Sequence, residues 1–284
     1  GPWLTLRDVG VNVREVKLLP TGVLDYEDFA SKINENTRLV CLGMSANSIG
    51  TVNNFKLVRE LTYKYNSWLL LDAVHYAPHF SIDVQALGCD FLLCSAYKFY
   101  GPHLGFLYSK PGLLDRVPTD RLRTAGQVAP YRIETGTPNF AAMEGVSAAV
   151  DFLSSLGVGN TKREKLVDAY QQIAQHEHAL ASNLYAGLKS IAGITVIGQD
   201  FTKPSRTPTV SFTLDGKTAH QVCEQLAKKN ICAWDGHFYA VRTMETLGLL
   251  EKGGVTRLGL SVYNTAEEVT MVIDEIRKIA LAKN

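Results

Sequence analysis

Apolar runs alternate with amphipathic stretches through the first hundred residues. Each short apolar run has the composition of a buried strand, and the stretches between the runs have helical spacing. The pattern predicts strands at residues 13–19, 39–44, 69–71, 91–94 and 105–108, and helices at residues 25–33, 55–65 and 83–87. This alternation favours an α/β fold with a mostly parallel sheet, in which the last strand is a candidate antiparallel neighbour after a Gly-Pro turn.

A second region follows residues 136–139, with a mixture of short strands and helices. Its pattern predicts helices at residues 162–191, 218–229 and 265–282, and strands at residues 194–197, 209–213, 231–234 and 256–262. Thr265 is a candidate N-cap, with Glu267 and Glu268 in the first turn of the last helix. We therefore expect a large domain at residues 1–150 and a smaller α+β domain at residues 151–284.

Composition and charge exclude several classes of partner. The 284 residues are 46% hydrophobic, which is enough to build one large or two modest cores. Lys and Arg number 29 against 28 Asp and Glu, so there is no basic footprint for nucleic acid. No apolar stretch has the length of a membrane span, and the first residues do not resemble a signal peptide. The sequence predicts a protein that binds neither nucleic acid nor membrane.

The five cysteines are scattered and indicate no shared structural site. They form no C-x-x-C pair, so neither a zinc site nor a disulfide framework is predicted. His176 and His178 are two positions apart in a helical pattern, which directs their rings to different faces. We expect no metal site and a reducing, cytoplasmic location.

Two predicted strands end in residues that carry chemistry. Residues 69–71 lead into Asp72, and residues 91–94 lead to Lys98. In α/β sheets, ligands bind beyond the carboxyl ends of the strands. A lysine there can form a Schiff base with an aldehyde, and an aspartate can hold a protonated pyridine nitrogen, as pyridoxal phosphate (PLP) requires. Alternatively, Asp72 caps the following helix and Lys98 is simply solvated.

The sequence around these two residues resembles a known family. Asp72-Ala73-Val74-His75 is followed by Cys89-Asp90-Phe91, then by Ser95-Ala96-Tyr97-Lys98 and Gly101-Pro102. This order is similar to that of fold type I PLP enzymes of the class V aminotransferase and cysteine desulfurase family. The resemblance implies the aspartate aminotransferase-like fold, PLP as cofactor and an amino acid as substrate.

The resemblance also implies roles for residues that follow the predicted strands. Lys98 would anchor the cofactor and move protons at the substrate α-carbon as general acid and base. Asp72 would pair with the pyridine nitrogen, which makes the ring a strong electron sink. His75 and Asn47 occupy positions that contact the phenolic oxygen of the cofactor, although a turn residue after a strand is the ordinary alternative for Asn47.

Further residues correspond to the phosphate and carboxylate contacts of the family. Ser95 and Tyr97 lie where the family places phosphate ligands, although many members have His at the position of Tyr97. Thr137 resembles the threonine that reaches the phosphate of the neighbouring subunit, which implies a homodimer with a shared active site. Arg257 matches the arginine that binds the substrate carboxylate, and a guanidinium fork suits that group. The alternative is that Arg257 lies on the surface at a strand edge.

The start of the chain departs from the family pattern. Gly1-Pro2-Trp3-Leu4 resembles the middle of the large domain of the family, without the first strands and some of the cofactor contacts. We expect a fragment, because the predicted strand at residues 13–19 would otherwise lack its hydrogen-bonding neighbour. The alternative is a complete chain that has lost some cofactor contacts.

The loop that carries the nucleophile in cysteine desulfurases also departs from the pattern. Within residues 234–240, Tyr239 aligns with the nucleophilic cysteine. Cys232 lies in the predicted strand 231–234, where we expect a buried thiol with a raised pKa. We predict a PLP-dependent transformation of an amino acid by aminotransferase, lyase or epimerase chemistry. The alternatives are a cysteine desulfurase that uses Cys232 and a degenerate, non-catalytic family member.

Overall fold

The computed structural model describes residues 2–202 and 206–282, which fold around two four-stranded sheets. The first sheet has the order β1-β2-β3-β4 and the second the order β5-β6-β8-β7. The strands are β1 (Leu39–Gly43), β2 (Trp68–Asp72), β3 (Phe91–Ser95), β4 (Gly105–Ser109), β5 (Ile194–Ile197), β6 (Thr209–Leu214), β7 (Trp234–Gly236) and β8 (Val255–Gly259).

Helices cover both sheets. They are α1 (Tyr26–Lys32), α2 (Phe55–Lys64), α3 (Val84–Leu87), α4 (Phe140–Ser155), α5 (Lys162–Lys189), α6 (Ala219–Ala227), α7 (Val241–Thr246) and α8 (Ala266–Leu281). Short 3-10 helices span Leu4–Val9, Ala96–Phe99 and Leu114–Arg116. Within the described ranges, no helix has the length and apolar character needed to cross a membrane.

Polar residues at the helix N-termini account for where most of the helices begin. Thr161, Thr218 and Thr265 each form a capping box with the residue three positions later, at the start of α5, α6 and α8. The side chains of Asp25 and Asn54 accept hydrogen bonds from the first turns of α1 and α2. These helices were predicted from the sequence, and their observed starts agree with the prediction.

The strand register places the carboxyl ends of the parallel strands side by side. β1, β2 and β3 are parallel, and Gly43, Asp72 and Leu93 are neighbours across them. β4 is antiparallel to β3, with Ser95 opposite Gly105. The mostly parallel sheet and its antiparallel last strand are therefore confirmed, and the second sheet is antiparallel throughout.

Helix α5 contributes to the cores of both halves. Ile173, near its middle, packs in the core that includes Leu71 of the first sheet. Leu184, closer to its C-terminus, packs in the core that includes Phe212 of the second sheet. The division at residue 150 stays a prediction, and α4 is continuous across that position.

The predicted strand at residues 13–19 does not form. A groove of about 850 Å³ lies between residues 11–16 and the open edge of β1. Side chains bind the backbone of this segment: Arg7 donates to Val13 O, and Lys32 donates to Glu15 O. The alternating pattern is typical of a strand, but a strand also needs an adjacent strand for its backbone hydrogen bonds.

The sequence prediction also differs from the structure in the second half. The predicted strand at residues 231–234 begins only at Trp234, where the backbone pairs with Arg257 of β8. Helices α4 and α7 were not predicted. The apolar residues of α4 do not form a single stripe, because Phe140, Met143 and Phe152 are exposed.

Candidate active site

Asp72 and Lys98 follow neighbouring parallel strands. Asp72 ends β2, and its Oδ1 accepts a hydrogen bond from Val74 N at 2.9 Å. Lys98 lies in the 3-10 helix that follows β3, and its Nζ is 5.0 Å from the centroid of the Tyr97 ring. Both residues are exposed, and in the part of the chain that the structure describes neither forms a salt bridge. A carboxylate and an amine are thus available at the edge where the sequence predicts a ligand.

A tight turn fixes the position of Lys98. Gly101 N donates to Ala96 O at 2.9 Å, and Tyr100 has a left-handed backbone with φ +70°. A Cβ on Gly101 would lie 2.9 Å from the Ala96 side chain, so the close approach requires glycine. The Gly-Pro turn of the sequence motif therefore holds the segment that carries Lys98 against the end of β3.

His75 lies three positions beyond Asp72 and contacts the second half of the chain. Its Nε2 is 3.2 Å from Thr207 Oγ1 and 3.3 Å from Thr209 Oγ1. Burial lowers the pKa of His75 to about 3, and the nearby positive charges of His79, Arg257 and Lys98 add to the effect. The imidazole is therefore neutral at physiological pH.

A buried pair supports the ring of His75. The rings of His75 and His79 meet edge to face, with their centroids 5.5 Å apart. His79 Nδ1 lies 2.8 Å from Glu177 Oε2 of α5. Burial raises the pKa of Glu177, whereas the hydrogen bond with His79 lowers it. This pair links the turn after β2 to the long helix.

Asn47 and Arg257 belong to one cluster with Phe238. Arg257 Nη1 donates to Asn47 O at 2.9 Å, and Asn47 Nδ2 donates to Phe238 O at 2.9 Å. The Arg257 guanidinium lies 4.1 Å from the centroid of the Phe238 ring. Burial lowers the pKa of Arg257, although guanidinium groups stay protonated in proteins. The cluster leaves part of the guanidinium fork without a partner among the described residues.

The remaining predicted site residues are less closely connected. Ser95 ends β3, half-buried, and makes no side-chain capping bond to the 3-10 helix. The exposed ring of Tyr97 stacks on His103, with centroids 4.6 Å apart. Thr137 lies in the exposed loop before α4. None of the described hydrogen bonds joins these three side chains to the cluster around His75.

The side chains near the strand ends have the chemistry that PLP requires. Asp72 can pair with a protonated ring nitrogen, and Lys98 is an amine without a described salt bridge. Arg257 has guanidinium N–H groups that donate to no described acceptor. The buried Ser45 Oγ, close to Asn47 in sequence, has no hydrogen-bond partner among the described atoms. These unpaired groups fit a polar ligand with an aldehyde, a pyridine ring and a carboxylate-bearing substrate. Among residues 2–202 and 206–282, no group of His, Cys, Asp or Glu side chains could hold a metal ion.

Several residues of this site are not predicted from the sequence. Thr207 and Thr209 contact His75 across more than 130 positions of sequence, and no local pattern predicts such a contact. Phe238 has a left-handed backbone although it is not a glycine, so its residue type does not predict this conformation. His79 could have been found, because it follows His75 by four positions and so lies on the same side of a helical turn.

The prediction that Cys232 is buried is wrong. Cys232 is exposed and lies before β7, because the strand starts three positions later than the apolar pattern suggests. Tyr239 is 97% exposed and has a left-handed backbone with φ +60°, as has Phe238 before it. Tyr239 is therefore a solvated phenol in the loop after β7.

Comparisons with known proteins agree with the fold. The sequence model of the class V aminotransferase family matches residues 1–272. A cysteine desulfurase of Yersinia pseudotuberculosis is 31% identical over 292 residues, which cover 98% of this chain and 67% of that protein. A cysteine desulfurase of Shigella sonnei is 30% identical over the same shares of the two chains.

Two solved structures match the chain over similar shares of its length and of theirs, at lower sequence identity. The apo structure of a cysteine desulfurase from Thermococcus onnurineus has a TM-score of 0.85 and 24% identity, and the match covers 98% of this chain and 69% of that one. A cysteine desulfurase from Escherichia coli has a TM-score of 0.82 and 23% identity, over 98% and 68% of the two chains. The predicted aspartate aminotransferase-like α/β fold is confirmed by these likenesses.

Proposed function

Because the chain belongs to the class V aminotransferase family, whose members are PLP-dependent enzymes, we propose that it transforms an amino acid at the α-carbon. One observation supports this proposal most. Lys98 and Arg257, from different halves of the chain, both lie close enough to His75 to affect its protonation. An amine, a guanidinium and a neutral imidazole are thus gathered beyond the end of β2, where Asp72 adds a carboxylate.

Each of these side chains has a task in the proposed reaction. When bound, PLP supplies a ring that withdraws electrons from the substrate α-carbon. Lys98 holds the cofactor and then moves a proton at the α-carbon. Asp72 keeps the ring nitrogen protonated, and Arg257 binds the substrate carboxylate through the free part of its fork. His75 and Asn47 would contact the phenolic oxygen.

The phosphate contacts and the homodimer are also part of the proposal. Ser95 and Tyr97 hold the cofactor phosphate, and Thr137 reaches the phosphate bound by a partner subunit. Large apolar side chains are exposed before and after Thr137 in the sequence, as expected of a protein interface. They are Leu122, Val128, Tyr131, Ile133, Phe140, Met143, Phe152, Leu156 and Val158.

The reaction type is proposed from the loop after β7. Transfer of sulfur from cysteine needs a thiolate, and Tyr239 offers a phenol at the corresponding position. We therefore favour aminotransferase, lyase or epimerase chemistry over desulfuration. The decisive experiment is to add PLP to the purified protein and to assay a panel of amino acids for keto acid, sulfide and inverted enantiomer.

A degenerate, non-catalytic member is the alternative from another functional class. A protein that stays colourless after addition of PLP, and turns over none of the amino acids, would establish that alternative. A yellow protein that forms a keto acid or an inverted enantiomer without sulfide would support the proposal. The cytoplasmic location stays a prediction, which the free cysteines Cys41, Cys89, Cys94, Cys223 and Cys232 support.

Replacement of Arg257 by lysine should weaken substrate binding although the charge is kept. An ammonium cannot bond Asn47 O, lie flat on Phe238 and present a fork to a carboxylate at the same time. Loss of a charged hydrogen bond costs about 1.5–3 kcal/mol, so KM for the amino acid should rise about tenfold or more. Steady-state kinetics measure the change, and Arg277→Lys on the surface of α8 is the matched control. The proposed role is wrong if amines without a carboxylate react as well as amino acids.

Desulfuration through Cys232 is the second candidate, and the exposure of this thiol is the observation in its favour. We nevertheless expect no persulfide on Cys232 after incubation with cysteine and PLP. Cys232 is held between buried Ile231 and β7, whereas sulfur transfer needs a thiol that can move to the substrate.

Mass spectrometry of the treated protein tests this expectation. Cys41→Ser provides the matched control, because Cys41 is also exposed but lies in β1, the edge strand of the first sheet. A sulfur adduct that disappears in Cys232→Ser and persists in Cys41→Ser, together with sulfide release, would establish the second candidate.

A further inference from the structure

The loop between β7 and α7 has a strained backbone. Phe238 and Tyr239, neither of them glycine, have left-handed φ angles of +53° and +60°. Bulky side chains rarely adopt this conformation, and it persists only where the surrounding structure holds it. The loop is closed by a hydrogen bond from Ala240 N to His237 O at 2.7 Å. Strain of this kind is concentrated at functional sites, so the contacts that hold the loop are of interest.

Phe238 forms a closed set of contacts with Asn47 and Arg257. Its carbonyl oxygen accepts a hydrogen bond from Asn47 Nδ2 at 2.9 Å, and Asn47 O accepts one from Arg257 Nη1, also at 2.9 Å. The Arg257 guanidinium lies over the Phe238 ring, with Cζ 4.1 Å from the ring centroid. Each of the three residues therefore contacts the other two, and the guanidinium is held both through Nη1 and through the ring.

A small apolar core holds the Phe238 ring in turn. The ring is half-buried and packs against a cluster that includes Ile49 and Val255. Ala46, which precedes Asn47 in the sequence, packs against the same cluster. The core therefore supports both neighbours of the Arg257 guanidinium, and the ring is a fixed surface for it to lie on.

Arg257 has no anionic partner among the described residues. It is half-buried, and none of the described ion pairs includes it. Buried charges are ordinarily paired, and here the aromatic ring and one carbonyl oxygen supply part of the compensation. The guanidinium N–H groups that donate to no described acceptor can therefore bind a carboxylate.

We propose that Phe238 is a positioning residue for Arg257, whose ring and carbonyl hold the guanidinium in one orientation so that a substrate carboxylate meets an ordered fork. The identity of the carboxylate, that of an amino acid, rests on the proposed function. A guanidinium that is already ordered loses less side-chain entropy when the carboxylate binds. The ring also keeps water from one side of the guanidinium, which strengthens its attraction to the carboxylate.

Phe238→Leu keeps an apolar side chain against the core and removes the aromatic ring. For the amino acid with the highest turnover, we expect KM to rise about two- to tenfold, the cost of ordering one side chain on binding, with kcat nearly unchanged. Amines without a carboxylate should react as slowly as with the wild-type protein. Phe238→Tyr, which retains the ring, should restore KM. Tyr239→Leu is the matched control, because Tyr239 has the same left-handed backbone but a ring that is 97% exposed.

The contact between the ring and Arg257 can be measured without any cofactor. In NMR spectra of the ¹⁵N-arginine-labelled chain, Arg257→Lys identifies the Arg257 Nε–H signal, which the Phe238 ring should shift upfield. This shift should disappear in Phe238→Leu and persist in Tyr239→Leu. Titration with acetate then measures carboxylate binding at Arg257, and the Kd for acetate should rise about two- to tenfold in Phe238→Leu.

The outcomes separate this proposal from the proposed function. An Arg257 signal that is the same in the wild-type protein and in Phe238→Leu overturns the role of Phe238, and Phe238→Met takes the place of this variant if it does not fold. A rise in KM as large in Tyr239→Leu, or an equal loss of rate with amines that lack a carboxylate, also overturns it. A wild-type protein that turns over no amino acid contradicts the proposed function, and the acetate titration still decides the role of Phe238.

Discussion

Lys98→Ala is expected to abolish the covalent attachment of PLP that borohydride makes permanent. Only a primary amine can form this link, and Lys98 is the amine at the carboxyl end of β3. Because we propose that the same side chain also moves the α-proton, turnover should fall by a factor of about 10² to 10⁴, the usual contribution of a general acid or base. Visible absorption before and after borohydride, followed by peptide mass spectrometry, measures the attachment.

The same substitution should leave the fold nearly unchanged. The Lys98 side chain is exposed, and its only described side-chain contact is with the exposed ring of Tyr97. An exposed cation–π contact contributes about 0.5–1 kcal/mol, so we expect Tm to fall by no more than about 2–4 °C. A loss of PLP attachment with a preserved Tm would therefore result from removal of the reacting amine and not from unfolding.

Lys110→Ala is the matched control for Lys98→Ala. Lys110 is an exposed lysine that follows β4, at the opposite end of the sheet from the site. Its replacement should change neither attachment nor turnover. A borohydride-stable adduct that persists on another lysine in Lys98→Ala would refute the assignment of Lys98.

The sequence predicts the elements whose signals are local. The helix starts at Thr218 and Thr265 are encoded by a threonine and by the Gln or Glu three positions later, which bind each other's backbone. The strand ends at Asp72 and Ser95 are encoded by the change from apolar to polar residues. The parallel neighbours of these strands follow from the alternation with helices.

Features that depend on distant partners are not predicted in this way. The alternating residues 13–19 resemble a strand, but the open groove along β1 leaves them without one to pair with. The apolar residues before β7 likewise do not predict the position of β8, the strand with which β7 pairs. The apolar pattern therefore places Cys232 in a buried strand, although backbone pairing with β8 begins only at Trp234.

The candidate site likewise depends on contacts between residues that are distant in the sequence. The individual residues Lys98, Asp72 and Arg257 can be proposed from motifs, because each lies in a short recognisable segment. The hydrogen bonds that position Arg257 and His75 join these residues to Asn47 and Thr207, across 210 and 132 positions. Such contacts are set by how β6 and β8 pack on the loops after β1 and β2, which no local pattern specifies.

Asp72→Asn is expected to lower turnover by a factor of about 10³ while preserving the local structure. A close ion pair near a protein surface contributes about 4 kcal/mol before desolvation is counted, and the amide removes that attraction to the protonated ring nitrogen. Asparagine keeps an oxygen that can accept the hydrogen bond from Val74 N, so the turn after β2 should remain. Turnover of the preferred amino acid, measured with saturating PLP, gives the size of the effect.

Asp83 provides the control that separates chemistry from capping. Its Oδ1 accepts hydrogen bonds from Gln85 N and Ala86 N at the start of α3, just as Asp72 accepts one from Val74 N. Asp83→Ala removes a cap and should lower stability by about 1 kcal/mol without changing turnover beyond the loss of folded protein. If Asp72→Asn keeps near-normal turnover while Asp72→Ala loses as much stability as Asp83→Ala, then Asp72 is a cap and the proton on the ring nitrogen is held by another group.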